Sequence, residues 1–152
     1  MAPPPSHPSP NPTEPFQISV RVYYEDTDAV GIVYHANYIK FAERARTEYL
    51  RASGWDHQKV GKELGIAFVI RNMEISFHAP ARIDDLLTAS AEVMNCGTTS
   101  FTMEQRICRG EKLLAKLEVV VVSVTLEGKA TRLPPQLRQI FEDKSPRKQI
   151  SK

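Results

Sequence analysis

A single long helical period, followed by strand patterns almost to the end, limits what this chain can fold into. Between Ala36 and Ala52, Tyr38, Phe41, Ala45, Tyr49 and Ala52 recur at helical spacing, with Lys40, Glu43, Arg44, Thr47 and Arg51 opposite. The spacing predicts an amphipathic helix of about 16 residues, closed by Ser53-Gly54. Ahead of it, "FQISVRVYY" (Phe16 to Tyr24) alternates and is rich in β-branched and aromatic residues, as a strand is. Behind it, "WDHQKVGKELG" predicts a loop or a short helical piece.

The remainder predicts strands. In "AFVIRNMEISFHAP", Met73, Ile75 and Phe77 share one face and Glu74, Ser76 and His78 the other. Leu87, Ala89, Ala91 and Val93 alternate with Thr88, Ser90 and Glu92, and Phe101, Met103 and Ile107 continue the pattern. "RGEK" is a turn around Gly110, and "LLAKLEVVVVSVTL" turns apolar on both faces, as a strand covered on both sides would. "EGK" turns again, and "PPQLRQIF" predicts a last short helix with Pro134 or Pro135 in its first turn. One helix beside a run of strands points to an α+β fold with a mostly antiparallel sheet. A lone helix cannot cover both faces of such a sheet, so a homodimer or larger assembly is expected.

Composition narrows the function classes. With 152 residues, 41% hydrophobic and 25% charged, the chain suits one domain with a real core. A formal net charge of +2 gives no footprint for nucleic acid. Cys96 and Cys108 form neither a disulfide framework nor a zinc spacing; small buried thiols in a reducing compartment are expected. No apolar run reaches the roughly 18 residues of a membrane span, and no secretory signal pattern opens the chain. A cytoplasmic protein without membrane insertion follows as the expectation. Residues 1–15 hold seven of the eleven prolines and predict a disordered tail. The domain is expected over 16–142, with a solvated basic tail over 143–152.

The stretch "YYEDTDAVGIVYHANY", Tyr23 to Tyr38, concentrates three carboxylates, a histidine and four tyrosines just before the helix. Asp28 falls in the loop between first strand and helix, Gly31 gives that loop freedom, and "YHANY" runs into the helix. The first amides of a helix lack internal partners and carry the positive end of its dipole. A carboxylate beside them suits acyl transfer, with the amides gripping a carbonyl oxygen and the carboxylate acting as nucleophile or as base for water. Two other readings stand beside it. Asp26 and Asp28 fit a plain helix cap and turn, and on spacing alone the cap is favoured. Asp26, Asp28 and His35 also make a weak metal set, without the i, i+4 ligand pair of a helical site.

The segment "YYEDTDAVGIVYHANYIKFAERARTEYLR" closely resembles the signature of the hotdog-fold acyl-CoA thioesterases. The likeness is to the 4-hydroxybenzoyl-CoA thioesterase family, in the bacterial branch whose gene accompanies the Tol-Pal envelope system. It continues through "MEISFHAPARIDDLLT" and "EGKATRLP", covering roughly Phe16 to Pro134. The resemblance implies a hotdog fold: one long central helix wrapped by an about five-stranded antiparallel sheet, paired edge to edge in a homodimer, with tetramers common and the active site at the subunit interface. It implies hydrolysis of acyl-CoA, with coenzyme A only as part of the substrate and no cofactor or metal. It places Asp28 as the catalytic carboxylate, the His35 amide as carbonyl donor, and the Tyr24 and His35 side chains around Asp28. Asn37 and Tyr38 would shape the start of the helix. An acyl carrier protein or lipid-synthesis enzymes are possible partners.

The remaining polar residues are expected to be ordinary. His78 is a surface or interface histidine, and His57 has no evident partner. Arg71 shares the phase of Met73 and Ile75 and could reach an interface or a phosphate. Arg82, Arg109 and Lys112 could meet the nucleotide end of coenzyme A but are more simply solvated. Glu48 is expected to pair with Arg44 at i, i+4. The rivals to hydrolysis are a dehydratase on the same fold, with His35 as base, and an acyl-CoA-binding or scaffolding protein of envelope or lipid metabolism with little turnover.

Overall fold

A computed structural model describes residues 15–144. The Pro-rich and basic tails predicted from the sequence lie, but for a residue or two, outside that range. Strand β1 spans Phe16–Arg21, and helix α1 spans His35–Ala52, one residue earlier than its period suggested. Helix α2, His57–Lys59, runs on as a wider π-turn over Val60–Leu64. Strands β2 (Ile66–Phe77), β3 (Leu86–Cys96), β4 (Ser100–Arg109) and β5 (Lys112–Thr125) follow. Helix α3, Pro135–Asp143, closes the described chain with Pro134 as its cap.

The strands form one five-stranded sheet in the order β1-β3-β4-β5-β2. Every pairing is antiparallel. The alternation read from the sequence sets which face meets α1. Leu87, Ala89, Ala91 and Val93 of β3 are buried, as are Phe101, Met103 and Ile107 of β4 and Leu117, Val119 and Val121 of β5. They pack with Phe41, Ala42, Ala45 and Tyr49 of α1 in a single core. Each fully buried aliphatic or aromatic side chain contributes roughly 1.5–3 kcal/mol relative to exposure. Helix α3 extends this layer: Phe141 is buried, 4.7 Å from the Phe101 ring and 6.0 Å from the Tyr49 ring between centroids.

Among the described residues, no helix covers the other face. There the register aligns Glu92 with Glu104, Glu104 with Glu118, and Glu118 with Glu74, a row of carboxylates across four strands. Like charges directly opposite oppose pairing. Arg106 relieves the row, 3.0 Å from Glu104, and partial burial together with Glu104 raises the Glu92 carboxyl above its ordinary value.

Three local expectations change. The β2–β5 register shifts between Ile70 and Asn72, so Arg71 is the extra residue of a β-bulge and has left the phase of Met73 and Ile75. Glu48 pairs with Arg51, at i, i+3, instead of with Arg44, whose guanidinium sits over the Phe41 ring. Cys96 and Cys108 are free but only half-buried, and burial pushes the Cys96 thiol up to about 11. Among the described residues, no helix is long and apolar enough to cross a membrane.

Candidate active site

The segment between β1 and α1 is built by backbone hydrogen bonds and by short polar side chains bonded to the backbone. A single tight turn, Tyr24–Asp26, follows the strand. The Asp26 carboxylate accepts from the Tyr23 amide at 2.8 Å, and the Tyr24 carbonyl accepts from the Thr27 hydroxyl at 2.7 Å. Thr27 and Val33 then form a β-bridge. Inside that bridge the Asp28 amide donates to the Ile32 carbonyl at 2.9 Å, and the Gly31 amide to the Asp28 carbonyl at 3.0 Å. Gly31 has φ +88°, which only glycine adopts without strain. The Asp28 carboxylate accepts from the Val30 amide through Oδ1, at 2.9 Å. Its Oδ2 makes no hydrogen bond among the described residues.

That geometry bears out the turn half of the cap-and-turn reading and moves the cap. Asp28 tightens its own turn, Asp26 caps the Tyr24–Asp26 turn before it, and neither caps α1. The residue at the cap position is Tyr34, and no side chain bonds to the first turn of the helix. The first turn also holds no acidic residue. The Asn37 amide donates to the Tyr34 carbonyl at 2.8 Å, and the His35 and Ala36 amides stay available as donors, with the helix dipole behind them.

Asn37 and Tyr38 anchor the helix start, as expected of them. Asn37 Nδ2 donates to the Asp26 carbonyl at 2.8 Å, and the Tyr34 amide donates to the same oxygen at 2.9 Å. The buried Tyr38 hydroxyl accepts from the Ala81 amide at 3.1 Å. Burial raises the Tyr38 hydroxyl above its ordinary value, against the Ala81 hydrogen bond, which lowers it. The β2–β3 connection is thereby stitched to the loop, since Val33 also donates to the Ala81 carbonyl at 2.8 Å and Ile32 bridges Arg82.

The other sequence candidates divide. His35 occupies the first helical position, its ring 4.5 Å from the Tyr34 ring and edge-on to Phe77 at 6.3 Å. Tyr24 sits on the tight turn, 82% exposed, and no hydrogen bond joins its side chain to Asp28 or His35. Around the loop lie exposed apolar side chains: Tyr23, Val30, Tyr34, Phe77, Ile83 and Leu86. No three His, Cys, Asp or Glu side chains among the described residues converge as ligands for one ion, so Asp26, Asp28 and His35 do not form the metal set considered from the sequence.

Arg109 is an internal strut. It donates to Asp85 at 2.8 Å and to the Pro80 carbonyl at 3.2 Å. The Arg82 backbone amide and then Arg109 hold the Asp85 carboxyl below its usual range, against a smaller opposing effect of burial. Arg82 and Lys112 are exposed, as solvated charges are. His78 is exposed beside the Ser76 hydroxyl at 3.1 Å. His57 begins α2 rather than standing in a loop, with Nε2 3.4 Å from the Thr47 hydroxyl.

Sequence reasoning missed the buried polar groups of the sheet, Ser90, Ser123 and above all Gln105. Gln105 is 0% exposed and lies on the same phase as Phe101, Met103 and Ile107. Its amide donates to the carbonyls of Ala42, at 2.8 Å, and Ser90, at 3.1 Å, and its carbonyl accepts from Arg46 at 2.9 Å. A glutamine in an otherwise apolar period was the available signal.

A helix laid on a five-stranded antiparallel sheet, with a carboxylate loop at an uncapped helix start, matches a known class. The Thioesterase superfamily model matches residues 30–116, more than half of the chain, and this protein belongs to that family. Its relatives include the acyl-CoA thioester hydrolase YbgC of Escherichia coli O157:H7, 46% identical over 84% of this chain and 96% of that protein. The acyl-CoA thioesterase YbgC of Haemophilus influenzae is 42% identical over 83% of this chain and 93% of that protein. Among solved structures, a probable thioesterase from Bartonella henselae superposes with TM-score 0.76 at 40% identity, covering 78% of this chain and 98% of its own.

Proposed function

We propose that this protein hydrolyses acyl-CoA thioesters to a free carboxylic acid and coenzyme A, with Asp28 as the reacting carboxylate. The observation that carries the reading is the pairing of Asp28, fixed in its turn by the Val30 amide, with an α1 N-terminus that no side chain caps. The names and coverage of the relatives support the reaction class.

The chemistry balances in either of two forms. Asp28 Oδ2 adds to the thioester carbonyl carbon, the C–S bond breaks, coenzyme A leaves as thiolate, and water cleaves the resulting anhydride. Alternatively Asp28 takes a proton from water as its oxygen adds to the carbonyl, and the proton ends on the departing thiolate. In both, negative charge collects on the carbonyl oxygen, and the His35 amide is the donor that this proposal assigns to it. A thiol with an ordinary pKa of about 8.5 leaves without a strong acid, so no further proton donor is required. Coenzyme A acts as part of the substrate, and the exposed apolar rim of Val30, Phe77, Ile83 and Leu86 gives the acyl thioester a surface to lie on. His35 and Tyr24 would assist by positioning.

The working unit in this proposal is a homodimer or larger. Strand β2 is a sheet edge of 12 residues, with Val69 and Ile70 exposed on it, and an unpaired edge of that kind pairs with a second copy. Two free cysteines fit a reducing, cytoplasmic setting.

The test is free-thiol release from short, long and aromatic acyl-CoAs by the wild type and Asp28→Asn. A folded Asn variant slowed about 100-fold or more, roughly 2.7 kcal/mol of transition-state stabilisation, supports the role. Equal rates would remove Asp28 from the chemistry, and silence from the wild type on every substrate would favour a binding protein.

A further inference from the structure

A second concavity lies at the other end of α1 and shares no residue with the loop and helix start. It is a cavity of about 120 Å³ between the C-terminal half of α1 and the sheet. Phe68, Phe101, Met103, Val121 and Phe141 supply apolar wall, while Glu43, Arg46, Thr47 and His57 bring polar groups to it. An apolar cavity of about 150 Å³ holds one benzene ring, so this one, somewhat smaller, sits at the lower limit for a single ring or a short chain.

The polar groups are arranged unequally. Arg46 is drawn toward the sheet by Gln105, whose carbonyl accepts from it at 2.9 Å. Gln105 cannot turn away, because its amide is committed to the Ala42 and Ser90 carbonyls. The other Arg46 donors make no hydrogen bond among the described residues, and no carboxylate there lies within ion-pair distance of it. Glu43, the charge that acts on it, is exposed. Burial lowers the Arg46 pKa below its ordinary value. Arg46 is half-buried, and a guanidinium partly withdrawn from water with one neutral hydrogen-bond partner gains from a further acceptor. Its planar fork, with spare donors beside an apolar wall, matches a carboxylate attached to a small apolar body.

We propose that this cavity binds a small carboxylic acid, with its carboxylate on Arg46 and its ring or short chain against Phe68, Phe101 and Phe141. The binding goes beyond the proposed hydrolysis and does not depend on it. Such an acid belongs to the class of compound that thioester hydrolysis releases.

The test is calorimetry on the full chain with benzoate, hexanoate and the uncharged analogue benzamide. Benzoate or hexanoate should bind, and benzamide should bind at least about tenfold more weakly. Arg46→Gln should weaken the acid at least about tenfold, with Arg46→Lys recovering part of the loss. Thr47→Phe, which fills the cavity from α1, should abolish binding while circular dichroism and oligomeric state stay unchanged. Should Arg46→Gln not fold, Thr47→Phe decides alone. Asp28→Asn should bind the acid as the wild type does. Neither acid binding the wild type below about 10 mM, equal affinity in wild type and Thr47→Phe, or loss of affinity in Asp28→Asn would overturn the proposal. Because the readout is heat of binding, an enzyme without turnover leaves this result interpretable.

Discussion

The two ends of α1 are built on opposite principles. At its C-terminal end the helix is closed and covered. The Ser53 amide and hydroxyl both bond to the Tyr49 carbonyl, at 3.1 and 2.9 Å, and Gly54 turns the chain at φ +93°. Tyr49 is buried between Phe16 and Phe141. At the N-terminal end no side chain caps the first turn, and Tyr34 and His35 are exposed. What holds that end lies one layer back, in Asn37, Tyr38 and the backbone of Asp26 and Ala81. Open helix amides cost stability, and the opposite end, closed at Ser53 and Gly54 with Tyr49 buried, can carry that loss. An open donor set on a rigid base is what a reaction that develops negative charge on oxygen needs.

The comparison can be broken from either side. Phe141→Ala removes the aromatic lid of the packed end and should cost about 3–5 kcal/mol. Thermal unfolding should show a fall in Tm of roughly 10 °C or more; a much smaller shift would mean α3 is not holding the core. Asp28→Asn carries the next effect, roughly 2.7 kcal/mol read in kcat/KM, and its Tm should stay near that of the wild type because Asn still accepts from Val30. A large Tm loss would instead make Asp28 structural. Tyr38→Phe strands the buried Ala81 amide and should cost about 1–3 kcal/mol, measured by urea unfolding, with thiol release falling as the helix start loosens. An unchanged urea midpoint would disconnect the Ala81 segment from that end of the helix.

The smallest effect concerns pH. The Asp85 carboxyl is lowered in the folded protein, by the Arg82 amide first and by Arg109 next. Such a group stabilises fully above its unfolded value, and the contribution disappears as pH falls through the lowered folded value. Wild type should therefore exceed Asp85→Asn in Tm at pH 7, and the two should converge as pH falls below the ordinary carboxylate range. A difference that persists undiminished in acid would show that the carboxylate charge is not its source.

Much of this architecture was legible in one dimension because it rests on period. Tyr38, Phe41, Ala45 and Tyr49 mark a helix face, and Leu87, Ala89, Ala91 and Val93 mark a strand face, whatever the chain packs against. The loop was legible by its chemistry: Asp28, Gly31 and His35 stand between a strand and a helix, and a long motif set them within a family. Side-chain partners were not legible. Glu48 chose Arg51 over Arg44 because both lie within reach along a helix and rotamers decide between them. Arg71 left its expected phase because a bulge inserts one residue without announcing itself in the alternation. Gln105 looked like an ordinary polar residue until the sheet placed it under Ala42, next to Arg46.

The sequence by itself determined the one-helix, antiparallel-sheet plan and the neighbourhood of the carboxylate proposed to react, since both follow from local spacing and residue type. Only the tertiary structure decided that Asp28 turns its own loop and leaves α1 uncapped, and that Arg46 stands half-buried against a neutral partner. Those outcomes depend on hydrogen bonds and burial between segments far apart in the chain, where spacing carries no information about which donor meets which acceptor.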